Sequence, residues 1–107
     1  MAVQPDNVIA QTESSIVYGI GLALTERVSI KNGAVEQSNF YDYIVSRNRD
    51  VPPMHVEVIH TDNHPTGVGQ MATPTITPAV GNALMAMTGV RLRHAPFTEE
   101  RVKKALT

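Results

Sequence analysis

Apolar residues recur at helical spacing through the first quarter of the chain. Ile9, Ile16, Ile20 and Leu24 fall four or seven residues apart, and Val8, Val17, Leu22 and Ala23 widen the stripe. This pattern predicts a helix from about Val8 to about Glu26, capped by Asn7 or Asp6. Its second half is apolar on most sides, so it calls for a partner layer on both faces. Gly19 and Gly21 each cost about 1 kcal/mol relative to alanine in a helix interior, which points to close packing against another backbone. The period then changes to two. Arg27–Lys31 alternates polar and apolar, Asn32-Gly33 follows, and Ala34–Ser38 reads as the returning strand of a hairpin, with Phe40 and Tyr41 continuing it.

A polar loop, Tyr43 to Pro53, leads to a third alternating run, Met54–Thr61, with Met54, Val56 and Val58 on its expected core face. Asp62 to Thr75 is a long loop rich in Gly, Pro and Thr, and loops of that length in small domains are commonly functional. Thr77 as N-cap with Pro78 at the first helical position predicts a second helix ending at Gly89. Arg91-Leu92-Arg93 is expected to be a short extended piece. Thr98 opens a last helix with Glu99 and Glu100 in its first turn and Lys103 and Lys104 in its last, matching the helix dipole. The expected class is α+β: a long N-terminal helix, a hairpin plus a third strand in one small sheet, and two C-terminal helices. Residues 1–107 form a single domain in this reading, without repeats or low-complexity tracts.

Composition narrows the chemistry. The chain has 107 residues, 42% of them apolar, with nine basic and ten acidic side chains. That balance, without a basic run interleaved with aromatics, argues against a nucleic-acid partner. With no cysteine in the sequence, disulfides, iron–sulfur clusters and thiolate zinc sites are excluded within it. No apolar run approaches the roughly 20 residues of a membrane span. The N-terminal Met1–Asp6 lacks the basic start and apolar stretch of a signal peptide, so the chain reads as soluble.

Most candidate sites reduce to ordinary roles. His55, Glu57, His60 and His64 lie on or near the third predicted strand, but no recognised metal-ligand spacing links them, and they read as rim histidines. Arg47, Arg49 and Asp50 read as solvated loop charges. Thr12, Ser14 and Ser15 lie in the first helix with no nucleophile–base ordering, and Met85 and Met87 read as core filling. Gly67-Val68-Gly69-Gln70 differs. Two glycines let backbone approach a ligand closely, a polar side chain follows, and a helix start comes within a few residues, where free amides can face an anionic or polar group.

This loop and its neighbours resemble a known family. Glu13–Leu24, Lys31–Tyr43, Gly67–Gln70, Pro74 and Pro78–Ala83 are collinear with the C-terminal end of the large, molybdenum-binding subunit of the molybdenum hydroxylases. That superfamily includes xanthine dehydrogenase and aldehyde oxidoreductase. The resemblance runs from Asp6 to Pro96 and is strongest to the isoquinoline 1-oxidoreductase large (beta) subunit. It implies that the chain is a C-terminal fragment, or a truncated paralogue, of a molybdopterin-binding domain, in the cytoplasm or, for some members, the periplasm. It also implies a cofactor, molybdopterin as the cytosine dinucleotide, bound by the complete enzyme and not by this chain alone. Gly67, Val68, Gly69 and Gln70 would line that cofactor's pocket. The implied partners are the remainder of the large subunit and an iron–sulfur subunit. The family hydroxylates a carbon beside a ring nitrogen, or oxidises an aldehyde, with water as oxygen donor, and a glutamate after Gly-x-Gly serves as general base. Here Gln70 stands in its place. A carboxamide donates and accepts hydrogen bonds but takes no proton near neutral pH, so no residue is assigned as catalytic and no metal ligand is assigned. The isolated chain is expected to be inactive and to cover its apolar faces by homo-oligomerisation. Two alternatives stand beside this: a non-catalytic binding or assembly protein, and one half of a split oxidoreductase.

Overall fold

In the computed structural model, which describes Met1–Thr107, two helices crossing at close range organise everything else. The first, α1, spans Pro5–Leu24. It begins three residues before the expected Val8 because Pro5 occupies the first turn, where its missing N–H costs nothing. Neither Asp6 nor Asn7 caps it; the N-cap is Gln4, with no side-chain hydrogen bond, and Asp6 lies in the first turn. The helix stops short of Glu26 because the Thr25 and Glu26 amides both donate to the Gly21 carbonyl, at 2.9 and 2.8 Å, and close the last turn.

The hairpin forms where Asn32-Gly33 predicts it. Both residues take positive φ, 52° and 79°, as the tight two-residue turn demands. Strands β1 (Ile30–Lys31) and β2 (Ala34–Val35) pair antiparallel, Ile30 opposite Val35 and Lys31 opposite Ala34. The ladder is shorter than the predicted runs. One further backbone bond, Glu36 to Ser29, extends it, and the Gln37 side chain then takes over by accepting from the Ser29 amide at 2.7 Å.

The third strand is a correction. Met54–Thr61 forms no ladder, and the sheet has two strands only. The expected alternation is nonetheless present: Met54, Val56 and Val58 are half-buried while His55 and Glu57 are exposed. What is missing is a partner backbone, because the hairpin is only two residues per strand and pairs with itself. Arg91-Leu92-Arg93 is likewise irregular rather than a strand.

Helix α2, Thr73–Thr88, starts four residues before the expected Thr77 cap, which leaves Pro78 inside it. Tertiary contact overrides the local start signal. The Thr73 hydroxyl donates 3.0 Å to the Ser15 carbonyl of α1 in a buried contact. A methyl group at Gly19 would come within 2.7 Å of Ile76 Cβ and 3.0 Å of the Thr73 carbonyl. Gly19 is therefore the close approach its sequence position suggested. Gly89, at φ 73°, ends α2 as expected. The chain then returns along α2, with Phe97 lying over Gly81 and its amide donating 2.6 Å to the Ala23 carbonyl at the end of α1. Helix α3, Glu99–Leu106, is capped by Thr98, whose hydroxyl accepts from the Arg101 amide.

The core these elements enclose is small. Ten of 107 residues are buried, and Ile20, Ala23 and Phe97 are the apolar side chains among them. The accessible surface is 8215 Å², where a monomeric protein of this mass exposes about 5,800 Å². The radius of gyration is 16.7 Å, against about 13 Å for a compact chain of this length.

Candidate functional site

The Gly67–Gln70 loop leads directly into α2 and sits against the N-terminal half of α1. Neither of its glycines has positive φ, so steric room, not a left-handed turn, explains them. At Gly69 a side chain would press on Gln11 of α1, its Cβ 3.2 Å from Nε2. At Gly67 the space is open. Val68 is half-buried, while Gly67, Gly69 and Gln70 are exposed.

Beside the loop lies an open groove of about 560 Å³. Its floor and one wall come from Asn7, Val8 and Gln11 of α1; Val58 of the extended segment, Val68 and Met71 face them. The N-terminal ammonium closes one end by donating to the Thr61 and Asn63 carbonyls at 2.8 and 3.0 Å. Of the four loop residues, Val68 lines this groove and Gln70 does not. Asn7 and Gln11 are the polar groups that the sequence did not single out. Their signal was available, since carboxamides spaced four apart on an otherwise greasy helix face one direction. The groove wall offers neutral donors, Asn7, Gln11, Asn63 and His64, and no carboxylate. That donor set suits an anionic or polar ligand, and with two side-chain-free positions in the loop the residues fit one wall of a pocket for a phosphate-bearing cofactor.

The other sequence candidates resolve into local structure. Nowhere do three of His, Cys, Asp and Glu come together in a metal-holding group. His55 pairs with Glu57, 2.9 Å apart and exposed. Asp50 accepts from the Arg47 amide at 2.9 Å and ties off a short 3₁₀ turn over Asn48–Asp50. Thr12 and Ser15 donate back to the Val8 and Thr12 carbonyls of their own helix. One arrangement was missed entirely. The Glu26 carboxylate is buried at 8% exposure, lies over Gly21, and accepts a 2.7 Å hydrogen bond from the Tyr43 hydroxyl. Glu26 raises the Tyr43 phenol to about 12, chiefly through that bond, with burial adding to it. This cluster anchors the loop after the hairpin to the end of α1.

The chain is 42% identical over 97 residues to the isoquinoline 1-oxidoreductase beta subunit of Brevundimonas diminuta, covering 91% of this chain and 12% of that one. It is 36% identical over 104 residues to a membrane-bound aldehyde dehydrogenase of Gluconacetobacter polyoxogenes whose name specifies pyrroloquinoline quinone, covering 97% of this chain and 14% of the other. Its fold matches the crystal structure of quinoline 2-oxidoreductase from Pseudomonas putida 86 with a TM-score of 0.86 and 25% identity, over 97% of this chain and 14% of that chain. The chain belongs to the molybdenum hydroxylase family. No protein-family model matches it. As a member of that family it spans about one eighth of the length of the relatives it matches. Several of those relatives are named as subunits, so multi-chain assembly is a feature of the group. No helix of this molybdenum hydroxylase segment is long and apolar enough to cross a membrane.

Proposed function

We propose that this chain supplies the C-terminal part of the molybdopterin-binding domain of a large subunit of the isoquinoline 1-oxidoreductase type, and that it turns over no substrate by itself. The observation that carries this is the match along nine-tenths of the chain to the Brevundimonas diminuta beta subunit. Its unfinished core adds support. In this reading the remainder of the large subunit and an iron–sulfur subunit are its partners. The substrate class is an N-heteroaromatic ring or an aldehyde.

The Gly67–Gln70 loop would form one edge of the cofactor pocket. Backbone amides at Gly67 and Gly69, free of side chains, and the carboxamides of Asn7 and Gln11 would hold molybdopterin, as the cytosine dinucleotide. When bound, that group supplies the two-electron redox chemistry that no side chain here can provide. Gln70 occupies the position of the general base. Its amide can orient a polar ligand through one donor pair and one acceptor, but it cannot remove a proton.

The test is to graft this chain in place of the matching segment of the Brevundimonas diminuta beta subunit and assay the assembled enzyme with Gln70 and with Gln70→Glu. Turnover is expected to rise by roughly two to four orders of magnitude on restoring the carboxylate. Equal rates in a cofactor-loaded graft would sink the assignment of Gln70 to the base position. A second reading, a non-catalytic binding or assembly protein, is favoured by Gln70 itself. It predicts an intact, loaded graft that stays silent with either residue. A split oxidoreductase predicts instead a separately encoded remainder that co-purifies with this chain and binds the cofactor only in the complex.

A further inference from the structure

Met54–His60 is an extended segment whose backbone has nothing to bond to. None of the N–H or C=O groups from Pro52 to His60 hydrogen-bonds to any backbone or side-chain group of the chain. Yet its side chains already alternate as a strand's do: Met54, Val56 and Val58 are half-buried, and His55 pairs with Glu57 two residues on, across the opposite face. Strand-like alternation without a ladder is unusual, because backbone polar groups are almost always paired once a segment is covered. The opposite face also carries Ile59 at 85% exposure, an apolar side chain left in water.

We propose that Met54–Ile59 is a β-strand completed by another strand, and that the other strand belongs to the rest of the large-subunit polypeptide. This rests on the reading of the chain as part of that subunit. Three observations select this occupant over a second copy of the chain. The same fold, at a TM-score of 0.86, sits within a quinoline 2-oxidoreductase chain of which it makes up 14%. The surface exceeds that of a compact protein of this mass by about 2,400 Å², the scale of an obligate interface rather than a transient one. The hairpin cannot serve as the partner, since its strands are two residues long and satisfy each other. Strand addition would give this segment main-chain hydrogen bonds for affinity, and its alternate side chains would give register.

The experiment compares amide hydrogen exchange in the free 107-residue chain and in the same chain grafted into the Brevundimonas diminuta beta subunit in place of its matching segment. Amides of residues 54–60 are expected to exchange freely in the first, and about a hundredfold or more slower in the second. Successive strand amides face opposite edges, so Val56→Pro and Glu57→Pro sample both. At least one should reduce protection of the segment tenfold or more in the graft, while neither should change the helical signal of the free chain, whose fold uses neither amide. A folded graft with unprotected 54–60 amides overturns the strand and leaves the subunit reading intact. A graft that does not assemble overturns both. Protection that appears in the free chain as its concentration rises identifies a second copy as the partner and also overturns the proposal.

Discussion

Tyr43 and Glu26 show how one buried charge can fix a loop. A carboxylate at 8% exposure needs a donor, since an unpaired buried charge is strongly disfavoured. Gly21 leaves the room for it, because a methyl group there would collide with the Glu26 carboxylate. The glycine pair of α1 therefore serves two purposes. Gly19 admits another backbone, as the sequence suggested, whereas Gly21 admits a side chain five residues ahead, which no local pattern announces. The Tyr43 phenol, ordinarily near 10.0, is raised to about 12. A raised folded-state value means that the pair's stabilisation is fully present below the unfolded value of 10.0 and is lost as pH rises through about 12. Absorbance titration should show Tyr43 ionising about two units above the ordinary value, and Tyr43→Phe should delete that late step. The substitution should also lower stability by about 1–3 kcal/mol at neutral pH, by leaving the carboxylate without its donor. A Tyr43 that titrates with an ordinary phenol's pKa would show that the bond does not persist in solution.

At the scale of elements, what sequence reveals is what local chemistry decides. Asn32-Gly33 specifies its turn because only residues tolerant of positive φ close a two-residue hairpin. Gly89 and Thr98 mark helix ends for equally local reasons. The start of α2 is not local. Thr77-Pro78 carries a strong start signal, but the helix begins at Thr73 because Thr73 and Ile76 meet α1, and that contact outweighs a proline in the second turn. The Met54–Thr61 run was legible as alternation and illegible as a strand, since pairing depends on a backbone that periodicity cannot name. The groove wall at Asn7 and Gln11 was hidden for a similar reason, because only the docking of the loop onto α1 makes those side chains part of a site. The competing starts of α2 can be separated by thermal unfolding. Thr73→Val removes the buried bond to Ser15 and should cost about 1–2 kcal/mol, whereas Thr77→Val, at a position with no side-chain cap, should stay within about 0.5 kcal/mol. The reverse order would place the functional helix start at Thr77.

For the whole molecule, the question is what covers the apolar surface that the fold leaves open. Val28, Ile30 and Val35 are more than half exposed, and Ile30 faces Val35 across the hairpin. Phe40, at 73% exposure, adjoins the same shallow depression as Val28 and Val35. An isolated two-stranded hairpin is marginal in water, so an apolar face on one is stable only when something packs on it. In the complete subunit that role falls to the remaining polypeptide; in the free chain, another copy is the available cover. Light scattering should therefore report a mass above the 11.6 kDa of one chain. The double substitution Ile30→Thr, Val35→Thr keeps β-branched residues that favour the hairpin but removes the apolar pair. It should return the chain to a monomer without loss of helical signal. A wild-type chain that is monomeric at every concentration tested would instead mean that the hairpin face tolerates water. The large surface would then reflect an intrinsically open fold rather than one awaiting a partner. If the double substitution leaves the oligomer intact, the cover lies elsewhere, and the α1 face around Tyr18 and Leu22, also exposed, becomes the contact to dissect by the same route.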